Sequence, residues 1–353
     1  MALYEEVIND LEEKKKNKES GKHNSIPWPF SRHSEYFDSI EKGTYIGLLG
    51  ATGSSKSRFI RFLIYNMVQF SMENDYNIKI LYFGLEDEKK AIYRKIIAHY
   101  LWSRHGIEVS QKYLNSKDVP LPDRYLNIIK QDAPFWEEFE KRVWIINNAT
   151  SPNEIHEKCE KVYNQYGKTH HCVAIIDNFA NITKDTTDDT EYQAVKRLSR
   201  NIIRLRLCKT LNMSVIAILQ QDYESERNSF RNTGKPITAI EPNLSSVGDM
   251  KICTRDMFAV FAIFDPFRYD LKSYPNSEGY SIEILRNKAK FLLMLKANEY
   301  AMAPRLGMLF DGAKEHFEEL PRPEDKLALE QLYTKIIQEE RDKIAKFGQQ
   351  KMF

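Results

Sequence analysis

Short apolar runs alternate along this chain with longer stretches whose apolar residues recur at helical spacing. Residues 45–49, 78–83, 172–176 and 215–219 are nearly continuous apolar runs, each too short for a helix and each ending in Gly or a polar residue. Runs of this kind read as strands buried on both faces of a sheet. Between them lie segments of period 3.6, at 58–73, 88–105 and 191–211, and one that opens with Ser151-Pro152-Asn153-Glu154. In that opening Ser is placed as the N-cap, Pro at the first helical position and the acid in the first turn. Strand–helix alternation predicts an α/β fold, with a mostly parallel central sheet and helices on both faces. Residues 256–264, 281–285, 291–297 and 306–310 read as further strands, forming an antiparallel C-terminal extension. Residues 222–241 read as a long polar loop.

The two ends differ from this middle. Residues 2–19 have Leu3, Val7, Ile8 and Leu11 on one helical face, followed by a polar linker. Two readings stand for it: a helix that docks on a neighbouring subunit, or a solvated terminal helix. Residues 324–347 predict a charged helix with apolar positions Leu327, Leu329, Leu332 and Ile336. The expected organisation is an N-terminal linker helix (1–24), an ATPase-sized core domain (25–320) and a C-terminal helix (321–353).

Composition narrows the class. With 42% hydrophobic residues, the 353-residue chain can bury a substantial core. A net charge of +2 gives no global field for polyanions, so nucleic-acid binding has to come from a local patch. Cys159, Cys172, Cys208 and Cys253 lack metal or redox spacing and read as buried free thiols in a reducing compartment. No apolar run approaches the roughly 18 residues of a membrane span, and no signal-peptide pattern opens the chain. The expectation is a cytoplasmic protein with no membrane partner.

The candidate chemistry centres on residues 47–57, Gly-Leu-Leu-Gly-Ala-Thr-Gly-Ser-Ser-Lys-Ser, between a strand and an amphipathic helix. That is the setting of a phosphate-binding loop, whose backbone N–H groups face phosphate oxygens at a helix N-terminus. Gly50, Ala51, Thr52, Gly53, Ser54, Ser55, Lys56, Ser57 and Arg58 are the nucleotide-binding candidates. Lys56 would reach the β- and γ-phosphates of ATP, and the Ser57 hydroxyl would join the shell of Mg²⁺. The loop departs from G-x-x-x-x-G-K-[ST] at Ser55, which occupies the second glycine position and must accept the φ found there. Asp177, at the end of an apolar run, is the second metal ligand expected of such a site. Glu86, just past residues 78–83, can orient and deprotonate a water attacking a γ-phosphate.

In motif order the chain resembles the RecA-like P-loop core of DnaB-type replicative helicases, from about residue 26 to residue 312. Phe83-Gly-Leu-Glu-Asp resembles that family's strand ending in its catalytic Glu, and Ile175-Ile-Asp-Asn-Phe its Walker B strand. Ile216-Ala-Ile-Leu-Gln is similar to the strand ending in its γ-phosphate sensor, and residues 243–249 to the segment after a DNA-contacting loop. The resemblance implies an ATPase acting on single-stranded DNA in replication or recombination, with Glu86 as base and Gln220 as sensor. It also implies a hexameric ring or filament, contact with other replication proteins, and a bacterial or phage-infected cell. Lacking the N-terminal primase-binding domain of cellular helicases, the chain is expected to be a phage or plasmid relative. The family's Lys-x-Arg reads Lys296-Ala-Asn298 here, so the lysine is kept and the arginine finger is not. Arg305, or Arg286, is the expected substitute. Arg227, Arg231 and Lys235 are the nucleic-acid candidates. The alternative function is a nucleotide-dependent switch or assembly protein of the same fold, with slow or no turnover.

Overall fold

The structure is a computed structural model and describes residues 3–117, 119–148, 150–188, 190–232 and 234–350. Residues 1–2 and 351–353 of the expected terminal segments, and residue 233 of the expected polar loop, lie outside the described residues.

Nine strands form the main sheet: β1 (Tyr45–Gly50), β2 (Ile78–Gly84), β3 (Val143–Ile146), β4 (His171–Asp177), β5 (Ser214–Gln220), β6 (Ala259–Phe264), β7 (Ala289–Ala297), β8 (Leu306–Asp311) and β9 (His316–Glu319). Their spatial order is β9-β8-β7-β6-β1-β5-β4-β2-β3. The six strands from β6 to β3 are mutually parallel, while β7, β8 and β9 add on antiparallel. This is the α/β architecture expected from the apolar runs. Alternate residues of each run serve opposite faces: in β4, Ala174 and Ile176 join one core while Val173 and Ile175 join the other.

The helices that cover the sheet, in chain order, are α1 (Leu3–Glu19), α2 (Lys56–Glu73), α3 (Lys89–His105), α4 (Ala133–Arg142), α5 (Pro152–Tyr166), α6 (Glu191–Arg197), α7 (Tyr223–Arg231) and α8 (Lys326–Gln350). One face carries α2, α3, α4 and an aromatic cluster of Trp28, Phe30, Phe37, Phe59, Phe62 and Phe261. The other carries α5, α6 and α8, the last through buried Leu329 and Ile336. Ser151 caps α5 in a reciprocal box with Glu154, as the Ser-Pro-x-Glu opening predicts. Helix α6 continues as a π-helical segment over Leu198–Thr210. No residue of α1 is buried, and its Leu3, Val7 and Leu11 are exposed. Among the described residues, no helix is long and apolar enough to cross a membrane.

Two sequence expectations fail. Residues 281–285 are not a strand: Ser281 ends a two-residue pairing with residues 273–274, and Ile282–Leu285 is a helical turn. Residues 222–241 are not an unstructured loop, because they hold α7. Asp222 starts that helix by accepting from the Ser225 backbone N–H at 2.9 Å.

The parallel strands end together. Gly50 lies beside Gln220 and Ile263, and Gly84 beside Asp177. This shared carboxyl edge is where open α/β sheets bind ligands.

Candidate functional site

The loop between β1 and α2 takes its shape from residues in the left-handed region. Gly53 has φ +77°, and Ser55, the residue before α2, has φ 76° and ψ 20°. Ser55 thus adopts the conformation of the glycine it replaces, at a cost of roughly 1–2 kcal/mol for an L-residue. Gly50 has no room for a side chain: a Cβ there would come within 2.5 Å of Ser54 Oγ and 3.1 Å of the Ile263 carbonyl. Lys56 is folded back under the loop, donating to the Gly50 and Ala51 carbonyls at 2.7 and 2.8 Å. Burial lowers its pKa to about 8, despite the opposing pull of Asp177 and Glu86. A desolvated ammonium and the N-terminus of an 18-residue helix therefore converge on one place.

Carboxylates face them across a cavity of about 510 Å³. Asp177 is 4% exposed; Tyr82 donates to its Oδ2 at 2.8 Å, whereas Oδ1 is buried without a partner. Burial holds this carboxyl above its ordinary pKa, opposed by the Tyr82 and Ser57 hydroxyls and by Arg61. Glu86 stands past β2 at the cavity mouth and accepts from Asn178 Nδ2. Its pKa is raised, first by desolvation and then by the Asp177 charge. Asp87 beside it pairs with Lys95 at 2.6 Å and lies 3.9 Å from Arg61. Arg61 in turn forms a 3.0 Å ion pair with Glu315, with side-chain exposures of only 3% and 2%.

The remaining wall comes from the antiparallel extension. Lys290 pairs with Asp265 at 2.5 Å, and Asn287 and Phe310 line the cavity, with the Arg58 guanidinium 5.4 Å from the Phe310 ring centre. The loop apex, Thr52, is held twice. Gln220 Nε2 donates to its hydroxyl at 2.7 Å, and Arg268 Nη1 to its carbonyl at 2.7 Å.

A divalent cation fits this donor set. The buried, unpartnered Asp177 Oδ1 and the nearby Ser57 hydroxyl are hard oxygen ligands. Among the described residues, no group of three His, Cys, Asp or Glu could cage a metal. Such a pair suits a Mg²⁺ that keeps its waters and takes its other ligands from phosphates.

Of the residues singled out in the sequence, Thr52, Gly53, Ser55, Lys56, Ser57, Arg58, Glu86, Asp177 and Gln220 line this one cavity, and Gly50, Ala51 and Ser54 build the loop behind it. The others lie elsewhere. Lys296 sits at a bulge near the far end of β7 and donates to the carbonyls of Thr254, Arg255 and Met257 at 2.9, 3.3 and 2.6 Å. Arg305 makes a bidentate pair with Glu241, at 2.6 and 2.8 Å. Neither reaches the cavity of its own chain. Arg227 and Arg231 are exposed on α7, and Lys235 is exposed beyond it. The basic helix 191–211 is largely paired internally: Arg197 with Asp185 and Asp188, Arg204 with Asp256, and Arg206 with Glu160. Arg61, Asp265, Arg268, Asn287, Lys290 and Phe310 were not foreseen. Only Lys290 and Arg61 carry a sequence signal, each being a cation inside an otherwise apolar stretch.

No protein-family model matches this sequence, and no curated protein sequence does. Solved structures do. The ATPase domain of a DnaB-like helicase superposes with a TM-score of 0.65 at 14% identity, covering 91% of this chain and 100% of that one. A DnaB-like replicative helicase, determined with reference to its interactions with primase, gives 0.65 at 15% identity, covering 90% of this chain and 66% of that one. This chain thus spans just under two thirds of the full helicase subunit. Sheet order, phosphate loop and these superpositions together give the chain the RecA-like P-loop fold found in the ATPase domains of DnaB-like helicases.

Proposed function

We propose that the chain is an ATPase of the helicase or translocase type that binds ATP·Mg²⁺ and acts on single-stranded DNA. The observation that carries the reading is the opposition of buried Lys56, at the start of α2, to the half-satisfied Asp177 carboxylate across the cavity. In this reading the loop N–H groups and Lys56 hold the phosphates, while Ser57 and Asp177 hold Mg²⁺, which neutralises phosphate charge. Glu86, its basicity raised by desolvation, orients and deprotonates the attacking water. Gln220, bonded to Thr52, reports whether the γ-phosphate end of the loop is filled. DNA would lie along exposed Arg227, Arg231 and Lys235. With Lys296 and Arg305 away from the cavity of their own chain, any role for them in hydrolysis is toward a second copy in a ring or filament. Contact with other replication proteins belongs to the same proposal, prompted by the primase interactions named for the similar helicase.

A second reading is favoured by one observation: Asn298 is exposed where a finger arginine is expected, and Lys296 is spent on carbonyls of its own chain. A trans arginine contributes about 10³–10⁵ in rate, so its loss points to a nucleotide switch with slow turnover. Steady-state hydrolysis, with and without single-stranded DNA over a range of protein concentration, separates the two. DNA-stimulated turnover rising more than linearly with concentration supports the motor. Tight ATP binding with negligible turnover in every condition transfers the assignment to the switch. Loss of all nucleotide binding in Lys56→Ala is expected under both.

A further inference from the structure

The apex of the phosphate loop is tied to helix α7 by a residue outside the expected motif set. Arg268 follows β6 and reaches in two directions. Nη1 donates to the Thr52 carbonyl at 2.7 Å, and Nη2 forms an ion pair with Glu226 of α7. Glu226 is buried, and the Arg268 guanidinium also lies 5.9 Å from the Phe230 ring centre on the last turn of α7. The same Thr52 is bound through its hydroxyl by Gln220, two residues before the Asp222 that caps α7. Helix α7 is therefore attached to the loop apex at its beginning, through Gln220, and along its length, through Glu226 and Phe230. Its outward face presents Arg227 and Arg231.

We propose that Arg268 is a positioning residue that couples the state of the phosphate loop to α7 through the Thr52–Arg268–Glu226 bridge, so that nucleotide and a polyanion on α7 influence each other's binding. The proposal rests on the ATP-binding reading above. A guanidinium donating to the loop carbonyl fixes the apex, and phosphate oxygens arriving beside Lys56 draw on that cation as well. Its hold on Glu226 then changes, and with it the stability of α7. By linkage, a ligand that orders α7 must change nucleotide affinity by the same factor.

Amide hydrogen exchange of the full chain, with and without Mg²⁺·ATP, tests this. Protection gained at residues 50–57 reports nucleotide binding itself; a change at residues 223–231 reports the coupling. In the wild type both segments are expected to respond, several-fold at 223–231. In Arg268→Gln, and separately in Glu226→Gln, residues 50–57 still respond while the response at 223–231 is lost. Glu226→Gln leaves the contact to Thr52 in place, so it serves if Arg268→Gln folds poorly. A matching readout is the Kd of a fluorescent ATP analogue with and without oligo-dT: the DNA-induced shift is expected in the wild type and absent in both variants. Wild-type protection confined to residues 50–57, or variants that keep the full response at 223–231, overturns the coupling while leaving nucleotide binding intact. No response at 50–57 overturns the ATP-binding reading, and the coupling with it.

Discussion

Glu315→Gln would strand Arg61 as an uncompensated cation in the interior. The two side chains meet at 3.0 Å and are almost sealed from water. At an effective dielectric of about 20, their attraction is roughly 332/(20 × 3.0), or about 5.5 kcal/mol, most of which offsets the desolvation of the two charges. Glutamine keeps the volume and removes the offset. Asp87, 3.9 Å away and 37% exposed, replaces only part of it. The expected loss is about 3–4 kcal/mol, within the range for breaking a buried pair from one side. Urea unfolding followed by tryptophan fluorescence reads it. With a slope of about 3 kcal/mol/M for a chain of this size, the midpoint falls by about 1 M. Arg61→Met added to Glu315→Gln is expected to recover most of the loss, because the stranded charge is gone. A single variant costing under about 1 kcal/mol, or a double variant as unstable as the sum of the two singles, would refute the reasoning.

Ser55→Gly relieves a left-handed residue but frees the unfolded chain, so the net gain is about 0.5–1 kcal/mol in the same unfolding assay; a loss of stability would contradict the strain argument. Lys56, at about 8 against 10.5 for an ordinary lysine, opposes folding while charged at neutral pH, and that cost fades as pH rises from about 8 to 10.5. Bound phosphates favour the ammonium, so nucleotide binding takes up a proton above pH 8 and Kd weakens from there upward. Lys56→Arg should flatten that dependence, and a wild-type Kd constant from pH 7 to 9.5 would count against it. Glu86→Gln should keep nucleotide Kd within about threefold and lower kcat by at least about 100-fold; retained turnover would move the base elsewhere. Because the raised Glu86 pKa leaves more of its carboxyl protonated at mildly acid pH, wild-type kcat should fall on that side.

What could be read from the residues followed one physical signal. Strands buried on both faces have to be apolar throughout, so β1, β2, β4 and β5 declared themselves, and the polar residue ending each run marked the sheet edge. Ser55 was legible as an anomaly because one position in the loop demands positive φ. Residues 281–285 were misread because four apolar residues fit a helical turn as well as a strand. Helix α7 was missed because it lacks a wide apolar face, although Asp222 followed by Glu224 and Glu226 is an N-terminal signal. Asp265, Arg268, Asn287 and Phe310 could not be found from spacing, since they reach the cavity only because β6, β7 and β8 continue the sheet beyond β1.

The aromatic cluster beneath α2 has a mechanical side. Phe30 stacks on Phe59 and Phe62 at 5.8 and 5.7 Å, and Trp28 stacks on Phe261 at 5.0 Å. Phe59 lies three residues beyond Lys56, so the segment leading from α1 is riveted to the rod that carries the phosphate-binding lysine. Close-packed rings yield little under load. A tug on α1 is thus borne by those rings and passed to α2, making the N-terminal helix a handle whose stiffest connection runs to the phosphate loop.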